Sequence, residues 1–404
     1  QPLKKYLADF SIRSRFSNAP PITPRHLLSH HSGLPAMYFK DMWAEKSEPL
    51  AAFVGRLKDE YVAYPPGHVF SPSFPGYDVL GRVIETQCKK AFALCLQERV
   101  LAPLGMKQST FDFTHADRGL LARHYWKEKP IALQTVRDTP AAGLISNVNE
   151  LARFMQMLFA NGKFEGQQIL KAQSVQEMLH AQNSAVALDL DTRVGLGWRL
   201  SGVRLPATRS VAWLSNESPF SRGRMVLVPE HKLGVVVLSN NSNSTELVEK
   251  ASERLLELIL QTRKPIAPGE TRRTALAPAP VHKREDIIGP YATSLGLISV
   301  TTQKGGYRAH MLGKTLSLTR NAEGLFAPEY RFLGLIPIPI SVLKEARLTT
   351  LKIDKRHLAV AYYRNQTHRL GERIEPVPLT DVWRKRLGEY QAVERDLLLE
   401  LVKF

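Results

Sequence analysis

Cysteine is scarce in this chain, with only Cys88 and Cys95 among 404 residues, which excludes a small disulfide-stapled framework. Both cysteines fall in helical sequence. Seven residues of continuous helix would separate their Cα atoms by about 10 Å, too far for a bond, so they are expected as buried apolar residues. No apolar run approaches the roughly 18 residues of a membrane-spanning helix. A Walker-type loop and a Gly-x-Ser-x-Gly elbow are also missing, which argues against a P-loop nucleotide enzyme and an α/β-hydrolase. Acidic residues are outnumbered, 38 against 55 basic ones, for a net charge of +17. The basic residues form no long run and accompany no nucleic-acid motif, so nucleic acid is not an expected partner. The charge suits a solubilising surface or peripheral contact with anionic envelope material such as lipid headgroups and wall polymers. No signal peptide is visible, and the chain opens on Gln1 rather than Met, which leaves a processed or missing N-terminus open.

One stretch organises what is present, Ile22-Thr23-Pro24-Arg25-His26-Leu27-Leu28-Ser29-His30-His31-Ser32-Gly33-Leu34-Pro35. It reads as one short helix. Thr23 suits the N-cap and Pro24 the first turn. Gly33 suits a left-handed end, and Pro35 prevents a restart. His26 and His30 at i, i+4 have metal-ligand spacing, but no Glu follows His26 to act as a base, and capping or packing is the expected role.

Helices are expected at Leu50–Leu57, Gly76–Phe92, Ser146–Gly162 and Thr245–Leu260, with capping boxes at Asn147/Glu150 and Ser174/Glu177. Strands are expected at Gly195–Leu200, Ser210–Leu214, Arg222–Val228 and Gly234–Leu238. This order predicts an α+β domain over residues 1–262. Residues 263–285, with four prolines, read as a linker. Gly296–Thr301, Tyr307–Leu312, Thr315–Leu318, Thr349–Ile353 and His357–Tyr363, with turns at Lys304–Gly306 and Asn321–Gly324, predict a small antiparallel barrel over residues 286–375. In residues 376–404, Gly388-Glu389-Tyr390 echoes Gly289-Pro290-Tyr291; this segment is either the start of a further repeat or a terminal helix from Val382.

The Ile22–Pro35 stretch resembles the "ITxRxLLTHTSGLP" segment of the serine β-lactamase-like family, which includes class C β-lactamases, D,D-peptidases and related esterases. Pro66-Gly67, Gly76–Gly81, Leu101–Met106, Ala142–Ser146, Gly195–Trp198 and Pro229-Glu230 continue the likeness in family order to about Asn241. The resemblance implies a helical subdomain beside an antiparallel sheet flanked by helices, with the active site at their junction. It also implies a lipocalin-like C-terminal module, a bacterial periplasmic or inner-membrane-associated location, and no cofactor.

The family's chemistry is covalent acyl transfer through a serine. It uses a Ser-x-x-Lys turn, a Tyr/Ser-x-Asn element and a Lys/His-x-Gly strand. The first belongs upstream of the His26–Pro35 stretch, and the chain begins too late to hold it. The single match, Ser341-Val342-Leu343-Lys344, lies in the barrel region and is read as chance. By count from flanking motifs, the second element falls on Pro72-Ser73-Phe74, and Tyr64 and Tyr77 are read as structural. The third falls on Trp213-Leu214-Ser215. These replacements, in intact flanks, predict an emptied acyl-transfer pocket with the catalytic residues unassigned and no metal. The first reading is an impaired scaffold that binds a small ester or peptide-like ligand or cell-wall material. A second is an active serine hydrolase with its nucleophile upstream of Gln1. A third is a basic envelope-binding module built on the barrel.

Overall fold

The computed structural model describes all residues except 41, 43–47, 127, 133–134, 219, 264–286, 294–295, 304–305, 333–335, 339–340, 364–365, 376, 392–397 and 402–404. The chain divides into one unit of Gln1–Leu276 with Arg364–His368, and a second of Ala277–Tyr363 with Arg369–Phe404.

In the first unit, α1 (Pro24–Leu28) starts as its sequence dictates. Thr23 Oγ1 accepts from the His26 N–H at 3.1 Å, and Pro24 occupies the first turn. The helix ends earlier than expected because His30 itself turns left-handed, at φ 58°. Gly33, at φ 72°, has another task. A Cβ there would sit 1.9 Å from the Tyr64 carbonyl oxygen, so only glycine lets the two backbones meet. Next come α2 (Leu50–Arg56), α3 (Phe74–Cys88) and α4 (Phe92–Leu96). Leu27, Leu34, Phe53, Val54, Leu57 and Val79 bury one core among α1, α2 and α3.

The single helix expected over Gly76–Phe92 is broken. Lys89 adopts the left-handed conformation and closes α3. The chain turns back, the Cα atoms of Cys88 and Cys95 come within 6.3 Å, and the two form a disulfide. The expectation of two unlinked thiols is therefore corrected; it assumed a helical path that the chain does not follow.

Further on lie the hairpins β1 (His124–Trp126) with β2 (Lys129–Ile131) and β3 (Lys163–Phe164) with β4 (Gln167–Gln168), and the helices α5 (Thr139–Ala142), α6 (Val148–Phe159) and α7 (Ala172–Met178). Asn147 caps α6 through the Glu150 N–H at 3.0 Å. Glu150 bonds instead to Gln108 N and Ser109 Oγ, so half of the expected box forms. The Ser174/Glu177 box does not form. The N-cap is Lys171, Ser174 lies inside α7, and Glu177 pairs with Arg25 at 2.7 Å.

The sheet of this unit runs β5 (Ala212–Glu217), β6 (Arg222–Val228), β7 (Leu233–Ser239), all antiparallel. Gly195–Leu200 forms no strand, only bridges from Arg199 to Val194 and Trp213. Alternation along β6 serves two cores. Met225 and Leu227 meet Met155, Met157 and Leu158 of α6 with Val175 of α7, and Val226 and Val228 meet Leu256 and Leu260 of α8 (Thr245–Gln261). Helices thus cover both faces of an antiparallel sheet, the expected α+β architecture.

The second unit is a closed antiparallel barrel. Its ring runs β8 (Gly289–Thr293), β9 (Gly296–Gln303), β10 (Gly306–Met311), β11 (Lys314–Arg320), β12 (Phe326–Phe332), β14 (Arg347–Ile353), β15 (Arg356–Tyr363) and β16 (Gln366–Arg373), which returns to β8, while β13 (Ile336–Ile338) is added on β12. Ala309, Leu318 and Phe326 fill it beside Ile287. The Asn321–Gly324 turn is present, with Gly324 N bonded to Asn321 O at 3.0 Å. Lys304 and Gly305 lie outside the described residues. A one-turn helix, α9 (Ser341–Glu345), precedes β14, and another, α10 (Asp381–Arg384), precedes the hairpin of β17 (Gly388–Gln391) and β18 (Leu398–Leu401). Gly388 opens β17 as Gly289 opens β8, and the helix from Val382 is limited to that one turn.

Candidate functional site

The Leu28–Pro35 stretch is the hub to which the site's other segments are tied. Gly67 N bonds to His31 O at 2.7 Å, Ser71 N to His30 O at 2.8 Å, and Gly197 N to Leu28 O at 3.0 Å. Beneath it, His31 Nε2 meets Asp189 Oδ2 at 2.8 Å, with both side chains buried. Asp189 also accepts from Phe70 N at 2.6 Å and from the Asn183 amide. His31 Nδ1 bonds to Ser29 O at 2.7 Å. This network joins positions 158 residues apart and holds the Phe70–Ser73 loop in place.

Pro72-Ser73-Phe74 forms the entry to α3. Pro72 is exposed, while Ser73 is 1% exposed. Ser73 Oγ donates to Pro35 O at 2.6 Å and accepts from Gly76 N at 3.0 Å; Ser73 N donates to His30 Nδ1 at 3.2 Å. Phe74 begins the helix and gives its N–H to Ala36 O at 3.0 Å. Ser73 is therefore a helix cap. His30 lies past the end of α1 with one ring nitrogen engaged, so it does not share a helix face with His26. Burial, helped by Arg199 and His31, lowers its pKa to about 4, so it is neutral at pH 7. Tyr77 donates its hydroxyl to Leu28 O at 3.1 Å, and burial pushes its pKa up to about 12.

Trp213-Leu214-Ser215 lies on β5, which has β6 on one side and the Arg199 bridge on the other. Trp213 packs against the core under α8 and donates its indole N–H to Ser201 O at 2.7 Å. Leu214 is 37% exposed, and Ser215 is exposed. Arg199 stands between Phe70 and Trp213. Its guanidinium carbon stands 4.3 Å from the Phe70 ring centroid and 5.8 Å from that of Trp213, with Arg224 4.9 Å from Trp213. Phe70, two residues before Pro72, and Trp213 thus both lie beside Arg199.

Ser341 and Lys344 lie on α9, in the barrel unit. Sequence reasoning missed Arg199, Phe70 and the His31–Asp189 pair. Arg199 directly follows the Gly195–Trp198 motif, a signal that was available; Asp189 had none.

The family model described as Beta-lactamase matches residues 1–259. Among curated proteins, the chain is similar to Protein flp of Staphylococcus aureus (strain MW2), 24% identical over 260 residues, covering 63% of this chain and 49% of that protein. It is also similar to penicillin-binding protein 4 of Amycolatopsis lactamdurans, 28% identical over 186 residues, covering 44% of this chain and 48% of that one. The chain spans about half the length of these relatives. Among solved structures, SurE superposes with a TM-score of 0.60 at 20% identity, covering 92% of this chain and 84% of that one. The octameric penicillin-binding protein homologue from Pyrococcus abyssi gives 0.54 at 20% identity, covering 89% and 80%. These structural likenesses speak for the fold. The family model covers well over half of the chain, and the motifs from Ile22 to Glu230 stand in its order; the chain belongs to the Beta-lactamase family of serine hydrolase scaffolds.

Proposed function

We propose that this domain keeps the β-lactamase-type cleft but has given up acyl transfer there, and that it holds a small ester-like or peptide-like ligand, cell-wall material included. The observation that carries the reading is the engagement of Ser73. Its hydroxyl is buried, donates to one backbone carbonyl and accepts from one backbone N–H, which suits a cap and leaves nothing for proton transfer. Pro72 and Phe74 beside it offer no acid, base or amide. Loss of one general acid–base group typically costs about 10²–10⁴-fold, and groups that act together fail together. Tyr77 does not stand in, because its proton is held tightly and its hydroxyl points to Leu28 O. Trp213 replaces the cation expected on β5, and the neighbouring Phe70 and Arg199 make that wall aromatic and basic, which favours a ligand with an apolar body and an anionic end.

The Cys88–Cys95 disulfide supports an oxidising compartment, in line with a bacterial periplasm or the outer face of the inner membrane. Among the described residues no helix is long and apolar enough to cross a membrane. The test incubates the longest natural product of the gene with fluorescent penicillin and with a chromogenic ester, and measures binding of a wall-derived peptide by calorimetry. No covalent label, no turnover and saturable binding weakened in Arg199→Ala are expected. Stoichiometric labelling of a serine would overturn the reading.

A further inference from the structure

Two carboxyl groups lie buried together away from the candidate site. Asp78 stands on the second turn of α3, and Asp138 immediately precedes α5; both are 0% exposed. Among the described residues one cation serves them. Arg137, 4% exposed, donates from Nε to Asp138 Oδ1 at 2.6 Å and from its terminal nitrogens to the carbonyls of Tyr38 (2.7 Å) and Lys40. Its guanidinium carbon lies 4.0 Å from the Phe53 ring centroid. Three carboxyl oxygens, both of Asp78 and Oδ2 of Asp138, meet no donor among the described residues. The Ala141 N–H bonds to the Asp138 backbone carbonyl at 3.1 Å and pulls weakly against the rise of the Asp78 pKa. Among the described residues, the remaining charge acting on Asp138 is Glu48, which is itself paired with Arg56.

Two ionised carboxylates in this place would leave one uncompensated negative charge in the core, a costly arrangement that a proton removes. We propose that Asp78 and Asp138 share one proton at neutral pH, with an Asp78 O–H donating to Asp138 Oδ2, and that this proton is a pH-dependent clamp between α3 and α5. It pairs two of the three unpartnered oxygens with one hydrogen bond and leaves Asp138 to balance Arg137. Burial first, then the charge of Asp138, drives the Asp78 carboxyl well above the usual range, against the pull of Arg137.

The packing allows no slack. A Cβ on Gly81 of α3 would lie 2.3 Å from Pro140 Cγ of α5, so the two helices meet in close contact and the repulsion between two carboxylates acts across it once the proton leaves. Water must enter, and the α3–α5 contact opens. That opening reaches the candidate site, because Ser73 Oγ and Phe74 N, at the start of α3, bond to Pro35 and Ala36, while Arg137 holds Tyr38, Lys40 and Met42 of the same segment.

The sign follows from linkage. An acid whose folded pKa is raised contributes fully below its unfolded value, near 3.9, and loses that contribution as pH rises toward the folded value. The test compares denaturant unfolding of the whole chain with that of Asp78→Asn, an isostere of the protonated acid, at intervals from pH 4 to 9. The ratio of the folding constants, variant over wild type, is expected to grow by up to tenfold per pH unit above pH 4. A ratio independent of pH would overturn the proposal. Infrared spectra of protein with isotopically labelled aspartate give a second readout on the wild type alone. A protonated carboxyl band at pH 7 is expected, and its absence would equally overturn the shared proton.

Discussion

Replacing Ser73 by alanine separates a cap from a catalytic group. The hydroxyl makes two bonds in the folded chain, 2.6 Å to Pro35 O and 3.0 Å from Gly76 N. Loss of a serine N-cap costs about 1 kcal/mol. Leaving the half-buried Pro35 carbonyl without its donor adds about 1 kcal/mol more, the low end for an unsatisfied group. The total of about 2 kcal/mol, in a unit of this size, lowers Tm by roughly 4–8 °C. Glycine serves as an N-cap at a cost of only a few tenths of a kcal/mol, so Ser73→Gly should regain part of the cap and none of the Pro35 bond, and fall between wild type and Ser73→Ala. The assay is urea unfolding followed by tryptophan fluorescence, with calorimetry for Tm. A Ser73→Ala protein within about 0.5 kcal/mol of wild type would refute the structural role given to this hydroxyl.

Gly33→Ala places a methyl group 1.9 Å from Tyr64 O at a left-handed φ, so it should yield no soluble folded protein in an expression trial. Intact mass under non-reducing conditions should show no free thiol, and Cys88→Ala with Cys95→Ala should cost about 2–3 kcal/mol in unfolding free energy on a loop-entropy estimate. His30, with its folded pKa lowered to about 4, contributes stability that is full above pH 6.5 and is lost as pH falls from there through 4. At pH 7.5 replacement by glutamine should therefore cost more than at pH 4.5, by up to roughly 3 kcal/mol, a difference read from paired unfolding curves.

Much of the fold was legible because its signals are local. Thr23 and Pro24 mark the start of α1, and the valine and leucine runs mark β6 and β7. The misses are places where the chain leaves the local pattern. Lys89 and His30 take left-handed conformations without glycine, ending helices where the apolar period gives no warning. The Lys89 break alone turned two apparently separated cysteines into a pair. Barrel strands β8, β12, β13 and β16 went unassigned because proline, glycine and charged residues dilute their alternation. The candidate wall positions rest on counts from flanking motifs. The Arg199–Phe70 contact and the His31–Asp189 pair join distant parts of the chain, which no spacing rule encodes.

The proposed loss of acyl transfer is tested most directly by mass spectrometry of the complete natural gene product after prolonged incubation with a β-lactam in excess. The account predicts an unchanged mass. A mass increased by one β-lactam equivalent, mapped to a serine, would contradict it.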